Sequence, residues 1–289
     1  MTHNLAFLTY HKYPQGAPDD QLSFPRLREH GYTLHTPIWN DPTVDWARFD
    51  TIIIRSTWDY FLHPTEFQGW LTRIEQLGVR LLNPLSVVRW NMDKIYLKEL
   101  ATRGYPVIPA EWLSVGDSAV LADILTARGW SEAVVKPTVS GGAYQTWVTR
   151  AEEDIAGQQA KLDAQLAQTG VMIQQFLPQI RTDGEWSFHY FNRRFSHAII
   201  KRPQPGDFRI QGGTLEGIPN PPSVLLDQAR AVLNCVESTV PLLYARVDGL
   251  VIDGRLQLME IELIEPRLYL AQSEEAAERF ADAIHECLV

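Results

Sequence analysis

Only two cysteines occur among the 289 residues, Cys235 and Cys287, and they have no metal-type spacing. That excludes a disulfide scaffold and a cysteine-rich metal centre, and it fits a reducing cytoplasm. No apolar run reaches the length of a membrane-spanning helix. The opening Met1-Thr2-His3-Asn4-Leu5-Ala6-Phe7-Leu8 lacks the basic start and long apolar core of a signal peptide. A soluble, cytoplasmic protein with no membrane partner is therefore expected. Positive charge is scarce: 26 Lys and Arg stand against 35 Asp and Glu, a formal charge of −9. This argues against a nucleic-acid partner, although it allows a local basic cleft. Neither Gly-x-x-x-x-Gly-Lys-Ser/Thr nor Gly-x-Gly-x-x-Gly is present, so any nucleotide site is neither a P-loop nor a dinucleotide-binding turn. There is no internal repeat and no low-complexity tract. What is present, 45% hydrophobic and 21% charged residues, is the composition of a folded chain, and its length implies two or three domains. Nine tryptophans are many for this size, and Trp58 and Trp90 fall in segments expected to be loops.

Two segments near the C-terminus carry the most information, Ala245-Arg246-Val247-Asp248-Gly249-Leu250-Val251-Ile252 and Leu256-Gln257-Leu258-Met259-Glu260-Ile261-Glu262-Leu263. Both alternate like strands, and Asp253-Gly254-Arg255 reads as a three-residue hairpin loop. With that loop, Ile252 faces Leu256, Asp248 faces Glu260 and Arg246 faces Glu262. Asp248, Glu260 and Glu262 then share one face, while Val247, Val251, Met259, Ile261 and Leu263 cover the other. Acids opposed across a ladder at about 4 Å repel by about 4 kcal/mol per pair at an effective dielectric of about 20. A hard cation removes that cost, and Mg²⁺ takes carboxylate oxygens when phosphate completes its shell. The alternative is a solvated outer face of an edge hairpin.

Upstream, strands are expected at 5–9, 32–35, 51–54 and 80–83, with helices over 22–30 and 65–77, in a βαβ-like arrangement. Thr51-Ile52-Ile53-Ile54 has the unbroken apolar character of a strand buried on both faces. In open sheets ligands meet the carboxyl ends of the strands, which is where Arg55-Ser56-Thr57-Trp58-Asp59-Tyr60 falls. Arg55 is a candidate clamp for a substrate carboxylate, with Trp58 and Asp59 beside it; the plainer alternative is an Arg55–Asp59 salt bridge. A helix starting near Asn91 carries Asp93 and Lys94. Residues 107–174 read as a small α+β unit, with strands near Val107 and over 133–136, 146–148 and 171–174, and helices over 118–128 and 152–168. A hairpin turns at Asn192-Arg193-Arg194, residues 203–222 read as irregular and mobile, and helices over 223–236 and 274–288 flank the acidic hairpin. His189 and His197 read as packing residues.

Three further elements point to phosphate and purine. Lys136 ends the apolar run Ala133-Val134-Val135, immediately before Pro137. The loop Ser140-Gly141-Gly142-Ala143 lets backbone N–H groups approach phosphate closely, though taken alone it is better read as a plain turn. Gln174-Gln175-Phe176-Leu177-Pro178 runs from a strand into a hinge of the kind that reads an adenine edge. Taken in order, Asn91-x-Asp93-Lys94, Val135-Lys136-Pro137, Gly141-Gly142, Gln174-Gln175-Phe176-Leu177, Asp207-Phe208-Arg209, Arg246-x-Asp248 and Glu260-x-Glu262 resemble the ATP-grasp ligases along essentially the whole chain. Within that superfamily, Asp41-Pro42-Thr43-Val44-Asp45-Trp46, Arg55-Ser56-Thr57-Trp58-Asp59-Tyr60, Val88-Arg89-Trp90-Asn91-Met92-Asp93-Lys94 and Glu262-Leu263-Ile264-Glu265-Pro266 are most similar to the ring-closing ligases of the D-cycloserine type, which act on O-ureidoserine.

The resemblance implies an ATP-grasp fold of mixed α/β and α+β class. It comprises an N-terminal open α/β domain over 1–92, an α+β lid over 93–175 and a C-terminal subdomain over 176–289 carrying the metal site. It implies ATP and two Mg²⁺ ions as cofactors. Lys94, Lys136, Ser140, Gly141 and Gly142 would meet the phosphates, and Gln174, Gln175, Phe176 and Leu177 the adenine. Asp248, Glu260 and Glu262 would hold the metal; where the family commonly has Glu-x-Asn, this chain has Glu262 and one more negative charge. Lys201, Arg209 and Arg246 would offset charge as a phosphoryl group moves to the carboxylate of a small-molecule substrate, with Arg267 a further substrate-side residue. The implied activity is ADP-forming ligation through an acyl-phosphate attacked by nitrogen, in antibiotic biosynthesis, with the lid excluding water. An amino-acid or dipeptide ligase, a small-molecule kinase and a non-catalytic nucleotide-binding regulatory module are the competing readings. A homo-oligomer is compatible with all of them.

Overall fold

The structure is a computed structural model and describes residues 3–289; Met1 and Thr2 of the opening segment lie outside the described residues. The N-terminal sheet is parallel, in the order β2-β1-β3-β4, from β1 (Asn4–Leu8), β2 (Thr33–His35), β3 (Thr51–Ile54) and β4 (Arg80–Leu82). Every residue of β3 is buried, as its unbroken apolar run requires. The crossover helix Pro64–Leu77 starts on a proline and ends at Gly78, whose φ of 65° only glycine adopts readily. The single helix expected over 22–30 is instead two, Pro18–Gln21 and Phe24–Glu29, because the Ser23 hydroxyl donates to the Asp20 carbonyl and Pro25 can only open a new helix. The helix expected from Asn91 starts only at Tyr96 and runs to Thr102, and Trp90, expected in a loop, lies in a separate helix before it, Leu85–Asn91. Between them the Asp93 carboxylate accepts from the Ile95 N–H at 2.9 Å.

A four-stranded antiparallel sheet follows, in the order β5-β8-β6-β7, from β5 (Ala110–Leu113), β6 (Glu132–Pro137), β7 (Trp147–Arg150) and β8 (Val171–Gln175). Ala133 and Val135 pack under the helices Leu121–Arg128 and Ile155–Leu166, so Val134 and Lys136 project from the opposite face. The strand expected near Val107 begins three residues later; Val107 makes an isolated bridge to Leu258.

The third sheet is antiparallel, in the order β11-β10-β9-β12-β13, from β9 (Glu185–Phe191), β10 (Arg194–Arg202), β11 (Thr214–Ile218), β12 (Tyr244–Ile252) and β13 (Arg255–Glu262). One face packs on the helices Tyr96–Thr102 and Ser223–Leu233, while the amphipathic helix Ala276–Leu288 fills the space between this sheet and the N-terminal one. β11 lies inside the segment expected to be irregular. Its residues are mostly exposed, and Gly217 passes so close to the Gln272 carbonyl that a Cβ would sit 2.7 Å from that oxygen. Such a strand carries no apolar alternation to read.

Candidate active site

The acidic hairpin has the expected pairs for an unexpected reason. Its loop is two residues, Asp253 and Gly254, both at positive φ, and Ile252 pairs with Arg255 rather than facing Leu256. A β-bulge between Asp248 and Gly249 then absorbs one residue, Met259, and restores Asp248 opposite Glu260 and Arg246 opposite Glu262. Val247, Ile261 and Leu263 are buried on the apolar face, but Met259 packs with Leu250 and Phe176 in a separate cluster at the cleft. The edge that carries the two glutamates is held by side chains. Asn91 donates to the Ile261 carbonyl and accepts from the Leu263 N–H, both at 2.8 Å, and the Tyr96 hydroxyl bonds both backbone groups of Ile261.

Cation and acid alternate across this floor. Asp248 accepts a two-pronged pair from Arg246, a bond from the Ser187 hydroxyl at 2.6 Å and one from Lys201 at 3.2 Å. Lys201 also pairs with Glu185 at 2.5 Å, Arg246 with Glu262, and Lys94 with Glu260 at 3.0 Å. Burial disfavours charge on Asp248, but Arg246 and Lys201 outweigh it and hold its carboxyl well below the usual range. Burial likewise opposes charge on Lys201, and Asp248 and Glu185 more than offset it. Glu262 moves the other way: burial, then Glu260 and Asp248, push it up to about 7 against the pull of Arg246. Glu265 reaches about 8 through burial and Glu262. The floor is short of positive charge.

The lid sheet faces it across a cavity of about 530 Å³. Lys136 bonds the Gln174 side chain at 3.2 Å, and burial, helped by Lys94, lowers it to about 8 against Glu260 and Glu185. Gln175, Phe176 and Leu177 also line the cavity, with Val134, Leu250 and Met259 making its apolar end. The Lys94 ammonium donates to the Ser140 carbonyl at 2.6 Å, so the loop of Ser140, Gly141 and Gly142 is tied to the floor. A Cβ on Gly141 would lie 2.9 Å from the Phe61 ring.

The floor, the lid and the glycine loop thus bring together Lys94, Lys136, Ser140, Gly141, Gly142, the 174–177 hinge, Lys201, Arg246, Asp248, Glu260 and Glu262 on one cavity. Arg209 also lines it, but is exposed and forked onto Asp207 at 3.0 Å. The Arg55–Asp59 pairing and the place of Asp59 in the cavity are corrected, while Arg55 lines a second, neighbouring chamber. Arg55 is 1% exposed, bonds Asp20 at 2.9 Å and the Pro266 carbonyl at 2.7 Å, and lies over the Tyr244 ring; its partner is Asp20, not Asp59. Asp59 accepts from the Trp39 indole at 2.7 Å and stays out of the cavity. Trp58 does line it, donating to the Glu265 carbonyl at 2.9 Å, with the Arg267 guanidinium stacked 4.4 Å over its ring. Glu185, Glu265 and Tyr269 line the cavity too and were not anticipated. Alternation along β9 could have found Glu185, whereas nothing in the pattern distinguished the other two. His189 and His197 are buried and stacked at 4.2 Å, as packing residues.

Among the described residues no three Asp, Glu, His or Cys side chains converge as metal ligands; Glu260 is drawn to Lys94, and Asp248 and Glu262 share Arg246. The donors nevertheless suit a hard divalent ion. Glu260 and Glu262 are half-buried with one cation each, and burial, with Glu260 and Asp248 behind it, raises the Glu262 carboxyl. Asp248 fits least well, since Arg246, Lys201 and Ser187 already occupy it.

An antiparallel floor and an antiparallel lid enclosing a lysine-rich, acid-edged cleft define an ATP-dependent ligase of the ATP-grasp class. Solved structures agree: D-cycloserine synthetase DcsG superposes with a TM-score of 0.86 at 29% identity, covering 99% of this chain and 100% of that one. D-alanine–D-alanine ligase from Bacillus anthracis, complexed with ATP, gives 0.70 at 18% identity over 99% and 97%. The cycloserine biosynthesis protein DcsG of Streptomyces lavendulae is 35% identical over 279 residues, 89% of this chain and 90% of that protein. Residues 5–83 match the N-terminal domain family of D-cycloserine synthetase DcsG. The chain belongs to the D-cycloserine synthetase family of ATP-grasp ligases, and it is an enzyme.

Proposed function

We propose that the enzyme closes a ring on an amino-acid-derived substrate, with O-ureidoserine, or a close analogue, as the compound it takes in antibiotic biosynthesis. The observation that carries this reading is the array of paired acids and cations on β12 and β13, facing Lys94 and Lys136 across one cavity. The substrate carboxylate would receive the γ-phosphoryl group of ATP. The nitrogen bonded to the side-chain oxygen would then attack the carbonyl carbon, phosphate leaving as the ring of C, Cα, Cβ, O and N closes.

Each residue has a job that follows from its surroundings. Lys94, Lys136 and the Ser140–Gly142 backbone hold the polyphosphate, and Phe176, Leu177 and Met259 sandwich the base against the Gln174-Gln175 edge. Glu260 and Glu262 would hold two Mg²⁺ ions, which neutralise phosphate charge when bound. Asp248 serves as the acceptor that fixes Arg246 and Lys201. Arg246, already bonded to the Arg267 carbonyl at 3.0 Å, lies where charge develops on the transferred group. The three sheets support division at 1–92, 93–175 and 176–289, with the middle unit closing over ATP to keep water from the acyl-phosphate. No helix among the described residues is long and apolar enough to cross a membrane, and both cysteines are free, which supports a cytoplasmic setting.

An ADP-release screen over amino acids, dipeptides and O-ureidoserine tests the proposal, with the product identified by mass. Release with O-ureidoserine alone and a cyclic product is expected. Dependence on a second amino acid would make it an intermolecular ligase. Phosphate retained on the product would make it a kinase, and no release with any compound would leave a binding module.

A further inference from the structure

Five carboxylates line the cavity: Glu185, Asp248, Glu260, Glu262 and Glu265. Four are held by a cation of the chain, Glu185 by Lys201, Asp248 by Arg246 and Lys201, Glu260 by Lys94 and Glu262 by Arg246. Among the described residues the Glu265 carboxylate has no cationic partner and no hydrogen bond from another residue; only its backbone carbonyl is used, by Trp58. The segment that carries it is fixed from both sides. Trp58 binds the Glu265 carbonyl, Arg55 the Pro266 carbonyl and Arg246 the Arg267 carbonyl. The main chain that presents the carboxylate is thus held in place.

Glu265 lies within the field of Glu262, Lys94 and Glu260, and the chain beyond it leads to the second chamber. Two residues on, Arg267 stacks on Trp58, and these two with Leu215 and Tyr269 line both the main cavity and the second chamber, of about 290 Å³. Arg267 is exposed and, among the described residues, carries no acid partner. One unpartnered anion and one unpartnered cation, two residues apart on a rigid segment, match the two charges of an α-amino acid.

We infer that Glu265 binds the α-ammonium group of the substrate, making it the residue that selects amino acids over other carboxylic acids, on the ligase reading given above. Burial and Glu262 raise Glu265 to about 8, and an ammonium beside it would supply a countercharge.

The test compares each amino acid turned over in the ADP-release assay with its des-amino counterpart, for O-ureidoserine the 3-(ureidooxy)propanoic acid. In the wild-type enzyme the des-amino compound should bind about tenfold more weakly or worse, as expected for loss of a charge-assisted hydrogen bond. In Glu265→Gln the KM of the amino acid should rise by a similar factor, while the KM of ATP, the Mg²⁺ half-saturation and the affinity for the des-amino compound stay unchanged. Equal binding of the two compounds by the wild-type enzyme overturns the inference, whether or not the variant folds. A shift in Mg²⁺ half-saturation matching the loss in substrate affinity overturns it in favour of metal ligation. If another amino acid replaces O-ureidoserine as substrate but keeps the tenfold discrimination, the ring-closing proposal fails and the role of Glu265 stands.

Discussion

Arg55 and Arg246 look alike on paper. Each lies at or near the end of a buried strand with an aspartate close by, each is buried, and each donates to a carbonyl of the same short segment, Pro266 for Arg55 and Arg267 for Arg246. They end with different work. Arg55 meets one acid, Asp20, which comes from the chain preceding the helix Phe24–Glu29 and is itself 2% exposed, and aromatic rings close over it. Arg246 meets Asp248 and Glu262 on the cavity floor, where Glu185, Asp248, Glu260 and Glu262 share Lys94, Lys201 and Arg246. A buried arginine whose charge is balanced once is architecture. One embedded in an unbalanced lattice can exchange partners when an anion arrives.

The contrast is sharpest in stability. Arg55→Ala leaves Asp20 buried without a partner and should destabilise the fold by about 3–5 kcal/mol, read as a lower urea midpoint. If the variant kept its midpoint but lost substrate affinity, Arg55 would be a clamp after all and the comparison would collapse. Glu260→Gln keeps the shape of the floor and removes one charge. Turnover should fall on the order of a hundredfold or more, with stability within about 1 kcal/mol of the parent. Unchanged kcat in that variant would remove the floor from the chemistry.

A smaller effect separates Lys136 from Arg246. Burial opposes charge on Arg246, but Asp248 and Glu262 keep it protonated at every accessible pH. Lys136, lowered from 10.5 to about 8 chiefly by burial, loses its charge in the working range. An anionic phosphate favours the protonated lysine. Nucleotide affinity should therefore be level below about pH 8 and fall as pH rises beyond it, approaching about tenfold per pH unit. Calorimetric titration of ATP across that range measures it; affinity level to about pH 10 would mean that the lysine stays charged without phosphate.

The sequence was readable where periodicity and burial coincide. β3 was legible to the residue because four consecutive β-branched residues can only be buried on both faces. The facing pairs Asp248–Glu260 and Arg246–Glu262 were also legible, yet through a longer loop than the real one, with the bulge at Met259 making up the difference. A bulge leaves no mark on hydrophobic alternation. β11 was hidden because it is exposed and glycine-bearing, and the late helix start beyond Asp93 because a side-chain turn competes with the helix.

The order of its motifs along the chain settled the class of this protein without coordinates. Local spacing fixes which side chains share a strand face, and strand order then follows from few topologies. Only the tertiary structure decided which charges are spent. Asp20 reaches Arg55 across 35 positions, and Trp58 anchors Glu265 across 207, through contacts that no local pattern encodes. Electrostatic balance is a sum over neighbours in space, so the residues left with charge to offer, Glu265 among them, became visible only once every other pairing had been made.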